Sequence, residues 1–203
     1  MASMVETLRA APYNISDERV LAVMEKLPRD LFVPEKDRAK AYGDHPLPIG
    51  HGQTISQPYI VAYMTEQLGV EPHHRVLEVG TGSGYQTAVL APLVKHVYSV
   101  EVIPDLAEGA RKVLNQLGVS NASIKIGDGG WGWPEEATFD RIIVTCAPTE
   151  IPPALVDQLA EGGRMVIPVG GTDPQELRLV EKRNGQISQK VLLPVRFVPM
   201  VRV

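Results

Sequence analysis

Residues 76–86 read VLEVGTGSGYQ, an apolar run that breaks into three alternating glycines, Gly80, Gly82 and Gly84. A buried strand turning through such a loop into a helix opens a ligand-binding α/β unit. Glycine permits the sharp turn and lets a ligand approach the backbone with no Cβ in the way. The spacing is G-x-G-x-G, whereas the dinucleotide fingerprint G-x-G-x-x-G would need glycine at Tyr85. Glu78 stands inside the strand, and a buried carboxylate requires a cation or hydrogen-bond donors. A sulfonium ligand with an amino group would supply the cation.

Outward from this loop the chain alternates strand and helix. RVLEVG (75–80), HVYSVE (96–101), ASIKIGD (122–128), FDRIIVTCA (139–147) and GRMVIPVG (163–170) read as strands. Between them YQTAVLAPL (85–93), PDLAEGARKVLNQLG (104–118) and PPALVDQLA (152–160) read as helices. That order predicts an α/β fold with a doubly wound, mostly parallel sheet. ELRLVEKR, the turn pair Asn184-Gly185 and QISQKVLLPVRFVPMV then predict an antiparallel hairpin. Upstream, SDERVLAVMEKLP (16–28) predicts a helix capped by Ser16 and stopped by Pro28, and PYIVAYMTEQLG (58–69) a second that ends at Gly69. Residues 41–56, broken by prolines and glycines, predict a long loop of a length usually kept for function.

Hydrophobic residues make up 44% and charged residues 22% of the 203, an ordinary globular composition that permits a real core. A net charge of −4 argues against an extended nucleic-acid surface. The single cysteine, Cys146, excludes an internal disulfide and reads as a small core residue. No apolar leader and no membrane-length apolar run is present, so a soluble, cytoplasmic protein is expected. His45, His51, His73 and His74 have no metal-ligand spacing, and no metal is expected.

Two further acidic residues stand at predicted strand ends. Glu101 lies about twenty residues beyond the glycine loop, where such folds hold ribose hydroxyls, and would equally cap the helix starting at Pro104. Asp128, followed by Gly129, stands where an adenine edge would lie, and would equally serve a turn. Three carboxylates without a phosphate-matching lysine favour a nucleoside. Trp131 and Trp133 would stack on adenine or pack their loop, and Thr145 would face the same crevice.

LEVGTGSGY, the acid at 101 and GDG at 127–129 resemble the class I S-adenosylmethionine-dependent methyltransferases. PLPIGHGQTISQP (46–58), GDGGWGWPEEATFDRIIVTCAP (127–148), LAEGGRMVIPVGG (159–171) and VRFVPM (195–200) are similar to the protein-L-isoaspartate O-methyltransferase family, from about residue 16 onward. The resemblance implies S-adenosyl-L-methionine as cofactor and S-adenosyl-L-homocysteine as product. It implies methyl transfer to the α-carboxyl of L-isoaspartyl residues in damaged proteins and peptides; the ester then closes to a succinimide that partly reopens as aspartate. Ser56 would stand at the reacting centre, with Thr54 and the Ile55 backbone holding the substrate's other carboxylate. Gly50, His51, Gly52 and Gln53 would close over the cofactor, held by Glu78, Gly80, Thr81, Gly82, Ser83, Gly84, Glu101, Val102, Asp128 and Gly129. At 203 residues the chain is expected to form one domain over 1–203: a helical cap and substrate loop (1–70), a cofactor core (71–171) and a β extension (172–203). A monomer is expected, without nucleic-acid or membrane partners.

The residues themselves keep alternatives open. Ser56, before Gln57-Pro58, is a natural helix N-cap, and a helix N-terminus also favours a bound anion. The candidate site has no Asp–His or Cys–His pair. A carboxylate nucleophile needs none, being ionised at neutral pH with a reference pKa of about 4. The hairpin and VRFVPM would either complete the sheet or offer strand edges to an extended peptide. A methyltransferase of another small molecule or of RNA, a NAD-linked oxidoreductase and a non-catalytic peptide-binding module are the other readings.

Overall fold

Apolar residues at helical spacing make the N-terminal third helical. In the computed structural model, which describes residues 3–171 and 174–203, α1 (Met4–Arg9) begins at a capping box between Ser3 and Glu6. In α2 (Glu18–Lys26), Val20, Leu21 and Met24 are buried. Its cap is Asp17, whose carboxylate accepts from the Arg19 amide; Ser16 instead donates its amide and hydroxyl to Glu66. The predicted cap is thus displaced by one residue, because a distant carboxylate claims the serine. A 3-10 turn follows at Arg29–Phe32.

The segment expected as a plain loop contains a small antiparallel ribbon, β1 (Leu47–Gly50) against β2 (Gln53–Ile55). Leu47 and Ile55 pair across it and both are buried, so the ribbon is anchored by two side chains too few to show as a period. α3 (Pro58–Leu68) then runs to Gly69, as predicted.

The α/β unit comprises β3 (Arg75–Val79), α4 (Tyr85–Leu90), β4 (His96–Glu101), α5 (Pro104–Gln116), β5 (Ala122–Ile126), β6 (Phe139–Val144), α6 (Pro153–Gln158) and β7 (Leu159–Val169). β8 (Gln175–Arg183) and β9 (Gln186–Val195) form the hairpin, turning at Asn184-Gly185. The seven strands lie in the order β5-β4-β3-β6-β7-β8-β9; the first five are parallel, β8 pairs antiparallel with β7, and β9 pairs antiparallel with β8. β7 starts earlier than predicted, because Leu159 already pairs with Phe139. Thr172 and Asp173, where the sequence divides core from extension, lie outside the described residues. Among the described residues no helix is long and apolar enough to cross a membrane.

Strand order reverses at β3, which has β4 on one side and β6 on the other, so a crevice opens beyond its carboxyl end. The pleat of β3 sends Val76 into the apolar cluster under the N-terminal helices and α4, and Leu77 and Val79 into the cluster on the other face. Each such fully buried aliphatic side chain contributes about 1.5–3 kcal/mol. β3 is therefore held from both faces, and the loop after it has a rigid base.

Candidate active site

Gly80 turns the chain out of β3 at φ +94°, and a Cβ there would stand 2.5 Å from Thr145 Oγ1. That hydroxyl donates to the Gly80 carbonyl at 2.7 Å, while the Gly80 amide donates to Val100 O at 2.8 Å. The loop is thus stitched to the ends of both neighbouring strands. Glu101, 5% exposed, accepts from the amides of Gly82 at 2.7 Å and of Ile103 at 3.0 Å. It braces the loop and holds the Ile103 amide just ahead of α5, without capping the helix, and it stands on the crevice wall.

The crevice is walled by Gly80, Gly82, Glu101, Val102 and Gly129, with Gln53 and Thr54 on one side. Val198–Val201 close the other side, pinned where Ala147 donates to Val198 O and Met200 donates to Ala147 O. A side chain at Gly129 would collide with Val79, so backbone forms this part of the wall. The chemistry of this lining suits a nucleoside. A carboxylate can accept from a diol, and among the described residues no lysine or arginine stands on the wall to neutralise phosphate.

Several expected ligands point elsewhere. Glu78 shares the face of Val76, is fully buried under α4, and accepts from Thr87 Oγ1 through Oε2; its Oε1 has no partner. It does not reach the crevice, and its partner is a hydroxyl instead of the expected cation. Asp128 also turns away: Oδ1 accepts from the Gly130 amide and Oδ2 from Arg202 Nε, both at 2.8 Å. Partial burial opposes its ionisation, but Arg202 and the Gly130 amide outweigh it and hold the carboxyl below its ordinary range. Thr81 Oγ1 is bound to Ser99 Oγ at 2.6 Å, and Gly84 packs on Ala110, so neither lines the crevice. Ser83, with Thr81, borders a smaller hollow beside Ser56.

Of the GHGQ segment only Gln53 faces the crevice; His51 leans outward, 3.5 Å from the exposed Asp105 carboxylate, and Gly50 and Gly52 flank it in the ribbon turn. Cys146, expected in the core, is on the crevice wall, where burial and then the Glu101 and Asp128 charges push its thiol up to about 12. Trp131 is 61% exposed beside Arg202, and Trp133 meets Tyr98 edge-on, so neither offers a stacking face in the crevice.

The Glu78 environment has a measurable consequence. Burial raises its pKa from the ordinary 4.5 to about 7, with the Thr87 hydroxyl opposing. An unfolded chain therefore releases this proton first, and stability falls as pH rises from about 4.5 through about 7, then levels. Glu78→Gln, uncharged and of equal size, is expected to remove that slope and to gain of order 3 kcal/mol over the parent at about pH 8. Denaturant melts at about pH 5 and about pH 8 check this; parallel profiles for the two proteins would reject it.

A groove meets the crevice at Thr54, Thr145 and Val198. Pro46, Ser56, Gln57, Ile60, Pro194 and Phe197 are among its walls. Ser56 does not cap α3. The cap residue is Gln57, whose side chain makes no capping bond, and Asp44 takes the capping role by accepting from the Tyr59 amide at 2.8 Å and Gln57 Nε2 at 3.1 Å. Among the described residues the Ser56 hydroxyl makes no hydrogen bond, although its carbonyl accepts from Arg29. Ile55 buries its side chain in the core, which leaves only its backbone for a ligand. Sequence reasoning missed Arg29 and Asp44, since their contacts cross elements and leave no local signal. The place of Val198–Val201 on the crevice wall has a signal in the VRFVPM segment, which by sequence reads as completing the sheet or as a strand edge.

The family model described as protein-L-isoaspartate(D-aspartate) O-methyltransferase matches residues 1–203. Protein-L-isoaspartate O-methyltransferase of Opitutus terrae is 55% identical over 190 residues, covering 93% of this chain and 82% of its own. Protein-L-isoaspartate O-methyltransferase 2 of a Polaromonas species is 57% identical over 186 residues, covering 91% and 88%. A beta-aspartate methyltransferase of Plasmodium falciparum, solved in complex with S-adenosyl-L-homocysteine, superimposes with a TM-score of 0.86 at 28% identity, covering both chains fully. With the glycine loop, the crevice and the adjoining groove all in one frame, these matches assign the chain to a family: it belongs to the protein-L-isoaspartate(D-aspartate) O-methyltransferases.

Proposed function

We propose that this chain methylates the α-carboxyl of L-isoaspartyl residues in damaged proteins and peptides, with Ser56 holding the acceptor carboxylate. The observation that carries the reading is the unpartnered Ser56 hydroxyl in the groove, next to Thr54, which borders both groove and crevice. S-adenosyl-L-methionine, when bound, supplies a methyl group on a sulfonium sulfur and leaves as S-adenosyl-L-homocysteine. Gly80, Gly82, Glu101, Val102 and Gly129 would hold it in the crevice, Glu101 accepting from the ribose diol. Family membership removes the NAD-linked oxidoreductase from consideration.

The chain's own task is to align an acceptor that is already ionised. A carboxylate of pKa about 4 needs no general base, and displacement at a methyl group gains most from orientation. Ser56 would donate one hydrogen bond to the acceptor and leave its second oxygen exposed toward the crevice. Thr54 and the Ile55 backbone would hold the neighbouring carboxylate. Pro194 and Val195, at the end of the edge strand β9, and Phe197 just beyond it would meet the peptide through its main chain and so tolerate varied flanking sequences.

Incubation with methyl-labelled S-adenosyl-L-methionine and two peptides differing only in an isoaspartyl or aspartyl linkage tests the reading. Base-labile methyl ester on the isoaspartyl peptide alone is expected. Equal labelling of both peptides, or of neither while S-adenosyl-L-homocysteine still binds, would send the assignment to another acceptor.

A further inference from the structure

Behind the Ser56 segment lies a cation with no counter-ion. Arg29, on the 3-10 turn Arg29–Phe32, is fully buried, and among the described residues its guanidinium meets no carboxylate. Nε donates to Ala41 O at 2.7 Å and Nη2 to Ser56 O at 2.8 Å, while Nη1 has no partner among the described residues. The Tyr85 ring lies 4.6 Å from Cζ. Burying a guanidinium against carbonyl dipoles and one aromatic face is costly, and a neutral side chain would fill the same space more cheaply. What the charge achieves is a hold on one peptide plane.

That plane belongs to Ser56. On its N-terminal side Ile55 is paired to Leu47 in the ribbon, and on its C-terminal side the Gln57 carbonyl accepts from Val61 in α3. Arg29 anchors the remaining carbonyl between them, so the backbone carrying the hydroxyl is secured at three consecutive residues. Tyr85, the first residue of α4, directly follows the glycine loop, so the guanidinium also ties Ser56 to the element leading out of the cofactor crevice. Fixed geometry of this kind matters for methyl transfer, where small displacements of aligned groups lower the rate sharply.

We propose that Arg29 is a positioning residue for methyl transfer, setting the Ser56 hydroxyl relative to the cofactor crevice through the Ser56 carbonyl and the Tyr85 ring. This rests on the reading of Ser56 given above. The test is a cycle of Arg29→Lys, Ser56→Ala and the double variant, measuring kcat and KM on the isoaspartyl peptide and calorimetric binding of S-adenosyl-L-homocysteine. Lysine keeps the charge and the stem but cannot place two donors on Ala41 and Ser56 together. Arg29→Lys is expected to lower kcat roughly 10- to 100-fold with S-adenosyl-L-homocysteine affinity retained, and to add little once Ser56 is alanine. An equal loss in both backgrounds would overturn the proposal while leaving Ser56 in its role. Full activity in Ser56→Ala would instead remove the reading on which it rests. Arg29→Lys protein that loses ligand binding along with turnover would overturn it too, because the residue would then be supporting the fold.

Discussion

Ser56→Ala is expected to lower kcat for isoaspartyl-peptide methylation by about 100-fold or more, the scale measured for removing one oriented donor at a reacting centre. S-adenosyl-L-homocysteine affinity should be unchanged, since Ser56 borders the groove and does not line the crevice. The melting temperature should hardly move, because Asp44 supplies the capping contact that serine would otherwise make. A kcat near that of the parent would remove Ser56 from the chemistry. A large fall in melting temperature would mean that the hydroxyl has a structural partner after all.

Glu101→Ala is expected to weaken S-adenosyl-L-homocysteine binding by about 100-fold or more, because hydrogen bonds to a charged acceptor contribute about 1.5–3 kcal/mol each and a diol makes two. It also strips the Gly82 and Ile103 amides of their acceptor, so some stability is lost with it. Glu101→Gln keeps one acceptor oxygen and should fall between. Calorimetry separates the two roles of this carboxylate. Parent-like affinity in a destabilised Glu101→Ala protein would make Glu101 a brace for the glycine loop and no ligand.

The two substitutions divide the site along its physical seam. Glu101 stands where strand ends meet the glycine loop, and Ser56 where the ribbon leads into α3. They belong to units with different signals in the chain. The α/β unit is written locally, as apolar runs of strand length, glycine turns and helices between them, and five of its strands and three of its helices lie within a few residues of their expected positions. The Asn184-Gly185 turn is equally local, and β8 and β9 flank it as expected.

Direction was not legible in the same way. Glu78, Glu101 and Asp128 read alike, as carboxylates at the ends of successive strands, yet only Glu101 stands on the crevice wall. The pleat puts Glu78 under α4, and the end of the chain, through Arg202, takes hold of Asp128. Ser16 and Ser56 both read as helix caps, and both lost that role to tertiary contacts: Glu66 holds Ser16, while Asp44 caps α3 in place of Ser56.

By itself, then, the sequence determined what depends on neighbouring residues: the order of strands and helices, the glycine turn after β3, the hairpin, and the motifs by which the family is known. Tertiary structure alone decided which carboxylate faces the crevice, which serine keeps a free hydroxyl, and that a buried arginine stands behind it. The physical reason is that propensity and periodicity act over a few residues. Whether a polar side chain is satisfied depends on donors and acceptors brought beside it by the packing of distant elements.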